Sequence, residues 1–236
     1  MGAAFSGGMI FPVAAAVAAA GTAAYGAFHR NSPVFGTVLH QISASNHAVS
    51  LTFDDGPNPY ATPLILDALG RAGVRATFFF LGRHVERWPE IARRAAAEGH
   101  QIGNHGYFHR KLQFRSVGYV RDDLGRGKRA IEAACGVTPA FFRAPHGFRS
   151  PWVTAVATSL GERTVGWSLG VWDTDRPGAD AIVTRTVEGA RPGYILLLHD
   201  GDGYDPVGDR AQTAQAVPGI IDALHKRGFT FATLPK

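Results

Sequence analysis

From Ala48 to Leu234 the sequence alternates short apolar runs with stretches of helical spacing, and each polar cluster follows directly after an apolar run. No other feature constrains the fold as much. Such alternation implies parallel strands joined by right-handed crossovers, hence an α/β protein. Polar clusters at the ends of several parallel strands would converge on one face, where α/β barrels and sheets place their chemistry. The runs expected as strands are 48–53, 76–81, 101–104, 140–142, 164–169, 194–198 and 229–234. Helices are expected over 62–72, 85–98, 116–134, 151–160, 179–190 and 213–227, with Gly73 and Gly99 as stops after the first two.

The first cluster closes the stretch Leu51-Thr52-Phe53-Asp54-Asp55-Gly56-Pro57. Side chains alternate along a strand, so adjacent aspartates can serve different targets, one a metal and the other a proton. Gly56 and Pro57 force a turn that leaves both carboxylates at the strand's mouth. Taken alone, Asp-Asp-Gly-Pro reads first as a polar turn after a buried strand. The second cluster is His105-Gly106-Tyr107-Phe108-His109. If that stretch is helical, both imidazoles share one face and can hold one ion, with an aspartate as third ligand. With 10 histidines in the chain, the pair alone also fits surface histidines. Two later clusters are Arg143-Ala144-Pro145-His146-Gly147 and His199-Asp200-Gly201. Asp200 to Asp205 has the flavour of a calcium loop but lacks the closing glutamate, and is read as an ordinary loop.

Composition bounds the rest. The 236 residues make one domain with an appendage, and 45% hydrophobic against 18% charged content suits an enzyme-sized core. The net charge of +5 is scattered, with no basic run interleaved with aromatics, so no nucleic-acid partner is expected. An anionic envelope polymer or lipid headgroup suits that charge better. Cys135 is the single cysteine, so no internal disulfide forms; it is expected as a small buried apolar residue in a helix. Met1 to Phe28 carries no charged side chain and is alanine-rich. Residues 1–30 are read as a membrane anchor ahead of a cleaved signal, and both ahead of a cytosolic leader. Arg30 on the domain side weakly opposes export. Residues 31–47 are read as a linker and 48–236 as the domain. A monomer is expected, working at the cell envelope.

Four motifs give the chain a family likeness. Thr-Phe-Asp-Asp-Gly at 52–56, His-x-x-x-His at 105–109, Arg-x-Pro-x-Gly at 143–147 and Leu-Leu-His-Asp at 197–200 resemble those of polysaccharide deacetylases. These are the carbohydrate esterase family 4 enzymes, related to nodulation-type chitooligosaccharide deacetylases. The likeness runs from about His47 to the C-terminus. It implies a distorted, incomplete (β/α) barrel of about seven strands, and a metal-dependent hydrolase that removes N-acetyl groups from a GlcNAc-containing envelope glycan. By motif position, Asp55, His105 and His109 would hold a divalent ion, with zinc foremost and cobalt, manganese or nickel also suited. Asp54 would be the general base, paired with Arg143. His199 would be the general acid, oriented by Asp173. The backbone N–H of His146 would face the oxyanion.

The chain also departs from the family pattern. Gly170 and Thr174 stand where the fourth motif usually has aspartate and tryptophan, with Trp172 a shifted candidate for the aromatic role. Ala144 and His146 replace the common Pro and Tyr, and Gly106 follows His105. These changes bear on the groove wall. The alternatives are an O-acetyl esterase acting on xylan or a related glycan, and a glycan-binding module without turnover.

Overall fold

The structure, a computed structural model, describes residues 10–235. Its strands are β1 (Ala48–Asp54), β2 (Thr77–Phe80), β3 (Gln101–Asn104), β4 (Phe141–Phe142), β5 (Arg163–Thr164), β6 (Leu169–Gly170), β7 (Ile195–His199) and β8 (Thr230–Phe231). All pair in parallel. Seven lie in the order β5-β4-β3-β2-β1-β7-β6, and β8 joins the beginning of β1. The result is the expected curled, incomplete barrel, with β1 near its middle.

The helices are α1 (Ile10–Phe28), α2 (Ala61–Ala72), α3 (Gly82–Arg87), α4 (Pro89–Ala97), α5 (Val117–Cys135), α6 (Val153–Ser159), α7 (Ala179–Gly189) and α8 (Ala211–Lys226). α2 stops at Gly73, whose φ of 66° is the left-handed cap glycine adopts freely. α5 opens on Ser116, whose hydroxyl oxygen accepts the Tyr119 N–H at 3.2 Å. Cys135 ends α5 half-buried, packed against the main core, and burial pushes its thiol up to about 11.

Two expectations need correction. The single helix over 85–98 is two, because Pro89 lacks an N–H and starts a fresh helix at its first position. The strand over 164–169 is two short strands. Between them Thr164 O and the Gly166 N–H bond to Leu39, drawing the chain to residues 39–42. Within the stretch 31–47, Leu39 bridges Val165 and Gln41 bridges Tyr194. As for the N-terminal apolar segment, residues 1–9 lie outside the described part. Among the described residues no helix is long and apolar enough to cross a membrane. Residues 13–25 of α1 are exposed for most of their length, and its end packs on the domain, with Phe28 edge-on to Phe148 at 5.4 Å.

The aromatic run of β2 explains its own pattern. Phe78 and Phe80 face outward into the main core beneath α2, α4 and α8, whereas Phe79 joins Phe141 and Ile195 on the inner face. A strand buried on both sides reads as a continuous apolar run. The same alternation governs the neighbouring strands. Val49, Leu51 and Phe53 of β1 lie in the outer core, so Ser50, Thr52 and Asp54 fall on the inner side. Leu196 and Leu198 are likewise outer, which leaves Ile195, Leu197 and His199 inner. The inner columns of β3 and β4 run on to His105 and Arg143.

Candidate active site

Register sets the centre of the site. Asp54 is the β-partner of His199, and Arg143 N–H bonds to Asn104 O, so strands β1, β7, β3 and β4 deliver four inner side chains to one mouth. Arg143 is fully buried and stands over the Phe79 ring at 4.1 Å. It donates to Asp54 Oδ1 (2.7 Å), Thr52 Oγ1 (2.9 Å) and Gly166 O (2.8 Å). These bonds fix one oxygen of Asp54 and leave Oδ2 3.8 Å from His105 Nε2. Burial lowers the Arg143 pKa, and the Asp54 charge opposes that.

Asp55 would be sent to the opposite face by strand alternation. Its φ of 73° re-aims it, and the buried His84 donates from Nδ1 to its carbonyl at 2.8 Å. Asp55 Oδ1 consequently lies 3.3 Å from His105 Nε2 and 3.1 Å from His109 Nε2. The His105–His109 stretch is not the helix that the spacing allowed. It is an irregular loop with Gly106 at φ 79° and His109 at φ 57°. The carboxylate of Asp123, on α5, accepts the Tyr107 and Phe108 N–H groups at 3.1 Å each and holds that loop from beneath. A Cβ on Gly106 would come 2.5 Å from Asp123 Oδ2, so the close approach requires glycine.

These three residues suit a divalent ion. One ligand atom from each of Asp55, His105 and His109 lies within 4.8 Å of the others, and all three residues are buried. Asp55 Oδ1 has no hydrogen-bond donor although it is fully enclosed. His105 donates from Nδ1 to Arg143 O at 2.8 Å, which leaves the Nε2 lone pair free toward the group. Burial pushes His109 down to about 3, keeping it neutral as coordination requires. Burial would raise Asp55, but the two imidazoles outweigh it and hold the carboxyl well below its usual range. Two imidazoles and a carboxylate on one side make a donor set with open positions.

Beside this group, His199 Nδ1 donates to Asp173 Oδ1 at 2.9 Å, and the His199 N–H donates to Asp173 Oδ2 at 2.8 Å. Thr213 Oγ1 also donates to Asp173 at 2.9 Å. Burial alone would lower His199, but the Asp173 charge prevails and raises it to about 9. His146, at φ 59°, stands against His109 with centroids 4.7 Å apart, and its Nε2 meets Tyr204 Oη at 2.9 Å. Burial lowers its pKa. All of these side chains except Arg143, Asp173 and the supports behind them line one cleft of about 750 Å³, where Trp167, Trp172 and Tyr204 also stand. Trp172 is largely exposed at the rim. Sequence pattern gives no sign of His84, Asp123, Thr213 or Tyr204, because each acts through a contact distant in the chain.

Comparison with known proteins agrees with this geometry. The family model described as "Polysaccharide deacetylase" matches residues 41–165. A chitooligosaccharide deacetylase of Bradyrhizobium sp. (strain ANU 289) is 41% identical over 202 residues, covering 82% of this chain and 91% of that protein. A peptidoglycan-N-acetylglucosamine deacetylase of Bacillus cereus is 36% identical over 204 residues, covering 84% and 92%. Among solved structures, a peptidoglycan N-acetylglucosamine deacetylase superposes with a TM-score of 0.79 at 34% identity, covering 84% of this chain and 91% of that one. A CE4-family pseudoenzyme from Bacillus anthracis superposes with a TM-score of 0.77 at 27% identity, covering 86% and 68%.

Proposed function

Since the chain belongs to the polysaccharide deacetylase family, we propose that it is a metal-dependent hydrolase removing N-acetyl groups from a GlcNAc-containing polysaccharide or oligosaccharide. One observation carries the reading: the buried Asp55–His105–His109 group is flanked by an Arg143-held carboxylate and an Asp173-held imidazole. Asp55, His105 and His109 would hold the ion, and zinc is the proposed species because it accepts two imidazoles and a carboxylate with open positions. A divalent ion there supplies Lewis acidity, drawing the pKa of water toward neutrality and polarising a carbonyl oxygen.

The chain's own residues do the rest. Asp54, pinned by Arg143, takes a proton from the attacking water. The water oxygen adds to the acetamide carbon, and the backbone N–H of His146 donates to the developing oxyanion. His199, kept protonated by Asp173, gives its proton to the sugar nitrogen as the C–N bond breaks. Acetate and a free amine result. We also place this work at the cell envelope; the uncharged segment Met1–Phe28 and the positive net charge support that location.

The test is acetate release from N-acetylglucosamine oligomers, peptidoglycan strands and acetylxylan, with chelator and metal add-back. Chelation should abolish release and zinc should restore it. Asp54→Asn should cut the rate by about 10²–10⁴-fold with metal stoichiometry intact. Release from acetylxylan alone would replace the amide reading with an ester one. Glycan binding without any release would make the chain a binding module.

A further inference from the structure

One wall of the cleft comes from a segment that precedes the family match at residue 41. Phe28, His29 and Arg30 line the cleft together with the metal-ligand candidates. The wall is fixed in place. Arg149, 1% exposed, donates to Ser32 O at 2.7 Å, and its backbone N–H donates to Ala27 O at 3.1 Å. Asn31 Nδ2 donates to Trp167 O at 2.9 Å. Arg30 stands within this frame. Its Nε donates to Trp167 O at 3.3 Å, its guanidinium carbon is 5.2 Å from the Trp167 ring centroid, and its stem lies where a Cβ on Gly147 would be 2.8 Å from Arg30 Cβ.

No carboxylate pairs with Arg30 among the described residues. The other arginine lining the cleft, Arg210, is occupied by Asp202 at 2.9 Å and by Gly201 O at 2.7 Å. Arg30 is a half-buried cation whose stem and Nε are tied down, with its terminal N–H groups bonded to no acceptor among the described residues. A guanidinium in that state is built to receive an anion in bidentate fashion.

We propose that Arg30 is a specificity-determining residue that binds a carboxylate on the sugar beside the one being deacetylated. This rests on the deacetylase reading. It names the substrate class as glycans with a carboxylate-bearing neighbour, such as strands alternating N-acetylglucosamine with N-acetylmuramic acid, over neutral N-acetylglucosamine oligomers.

The test compares the free acid and the carboxyl methyl ester of an N-acetylglucosamine–N-acetylmuramic acid tetrasaccharide. Their binding to the zinc-loaded full chain is followed by tryptophan fluorescence. The acid should bind about tenfold tighter than the ester in the wild type, as one charge-assisted pair provides. The ratio should fall to near one in Arg30→Ala and recover in part in Arg30→Lys. Equal affinity in the wild type, including no measurable binding of either compound, overturns the proposal without needing any variant to fold. An acid preference that survives Arg30→Ala also overturns it, because the carboxylate would then be reading the metal. Binding is read from the fluorescence change on rapid mixing, ahead of turnover, so a failure to release acetate would sink the deacetylase reading and leave this comparison intact.

Discussion

Asp54, His105, Arg143 and His199 are brought into the site at the end of a strand or one residue beyond it, whereas Asp55, His109 and Asp173 are brought there from outside the strands. The strand group is placed by register and alternation, which the sheet supplies anyway. The loop group depends on left-handed backbone: Asp55 at φ 73°, His109 at φ 57°, and Trp172 at φ 56° just before Asp173. Each such conformation costs about 1–2 kcal/mol for a residue with a Cβ. Each therefore has its own support: His84 on Asp55 O, Asp123 under the histidine loop, Thr213 on Asp173. The strands thus fix where chemistry can occur, and the loops fix the three groups that choose which chemistry.

The sharpest way to break this comparison is to remove a loop-borne ligand. His109→Ala should abolish stoichiometric metal binding and acetate release together, while the metal-free protein keeps its unfolding midpoint because the apolar core lies on the other face of the sheet. Elemental analysis showing undiminished metal would contradict the ligand assignment. A gentler change reaches the same ring through packing. His109 Nδ1 is buried with no hydrogen-bond partner, and a Cβ on Gly203 would come within 2.0 Å of it. Gly203→Ala should weaken metal affinity by about 10–100-fold, as lost ligand support does. An unchanged zinc titration would show that the loop yields.

Asp173→Asn tests the other loop. His199 must be protonated to donate, and its pKa is raised to about 9 because the Asp173 charge outweighs burial. A cation bound nearby would draw that value back toward neutrality. Removing the carboxylate's charge removes the raising influence, so the alkaline limb of kcat/KM should move to lower pH, by about 1–3 on the pH scale. A limb that stays in place would take His199 out of the general-acid role.

The two groups also differ in how legible they are. Asp54 and His199 each end an apolar run, and parallel pairing is enough to bring such ends together. The alternation of inner and outer side chains is written in 48–54, whereas 195–198 is apolar throughout and hides it. The histidine pair is legible as a pair for the wrong reason. Its spacing suggests a helix, yet a glycine turn and a distant aspartate hold it. The run 164–169 looks like one strand because Val165, Trp167 and Leu169 alternate with Thr164, Gly166 and Ser168; pairing with Leu39 divides it. The wall at 28–31 reads as the end of an anchor and the start of a linker, since nothing local signals that Arg149 and Trp167 will hold it.

Beneath the histidine loop lies a support whose effect is smaller and shows in stability. Asn104 Oδ1 accepts the Gly106 N–H at 2.9 Å, and Asn104 Nδ2 donates to Glu162 Oε1 at 3.0 Å. Glu162 is 1% exposed, and burial pushes its carboxyl up to about 8, against which the Asn104 bond pulls only in part. The unfolded chain releases that proton near its ordinary value of 4.5. Between these two pH values the native state holds the proton more tightly, so stability falls as pH rises through the window. A tenfold difference in proton affinity between the native and unfolded states is worth about 1.4 kcal/mol, which puts the decline within reach of chemical denaturation. Glu162→Gln keeps an acceptor for Asn104 and removes the titration. Its unfolding midpoint should accordingly lose less than the wild type's between about pH 5 and about pH 8, and exceed it at the upper end. Parallel pH profiles would mean that the carboxylate is already ionised and paired. The loop would then rest on a charge, and the contrast between cheaply placed strand groups and separately supported loop groups would extend into the core.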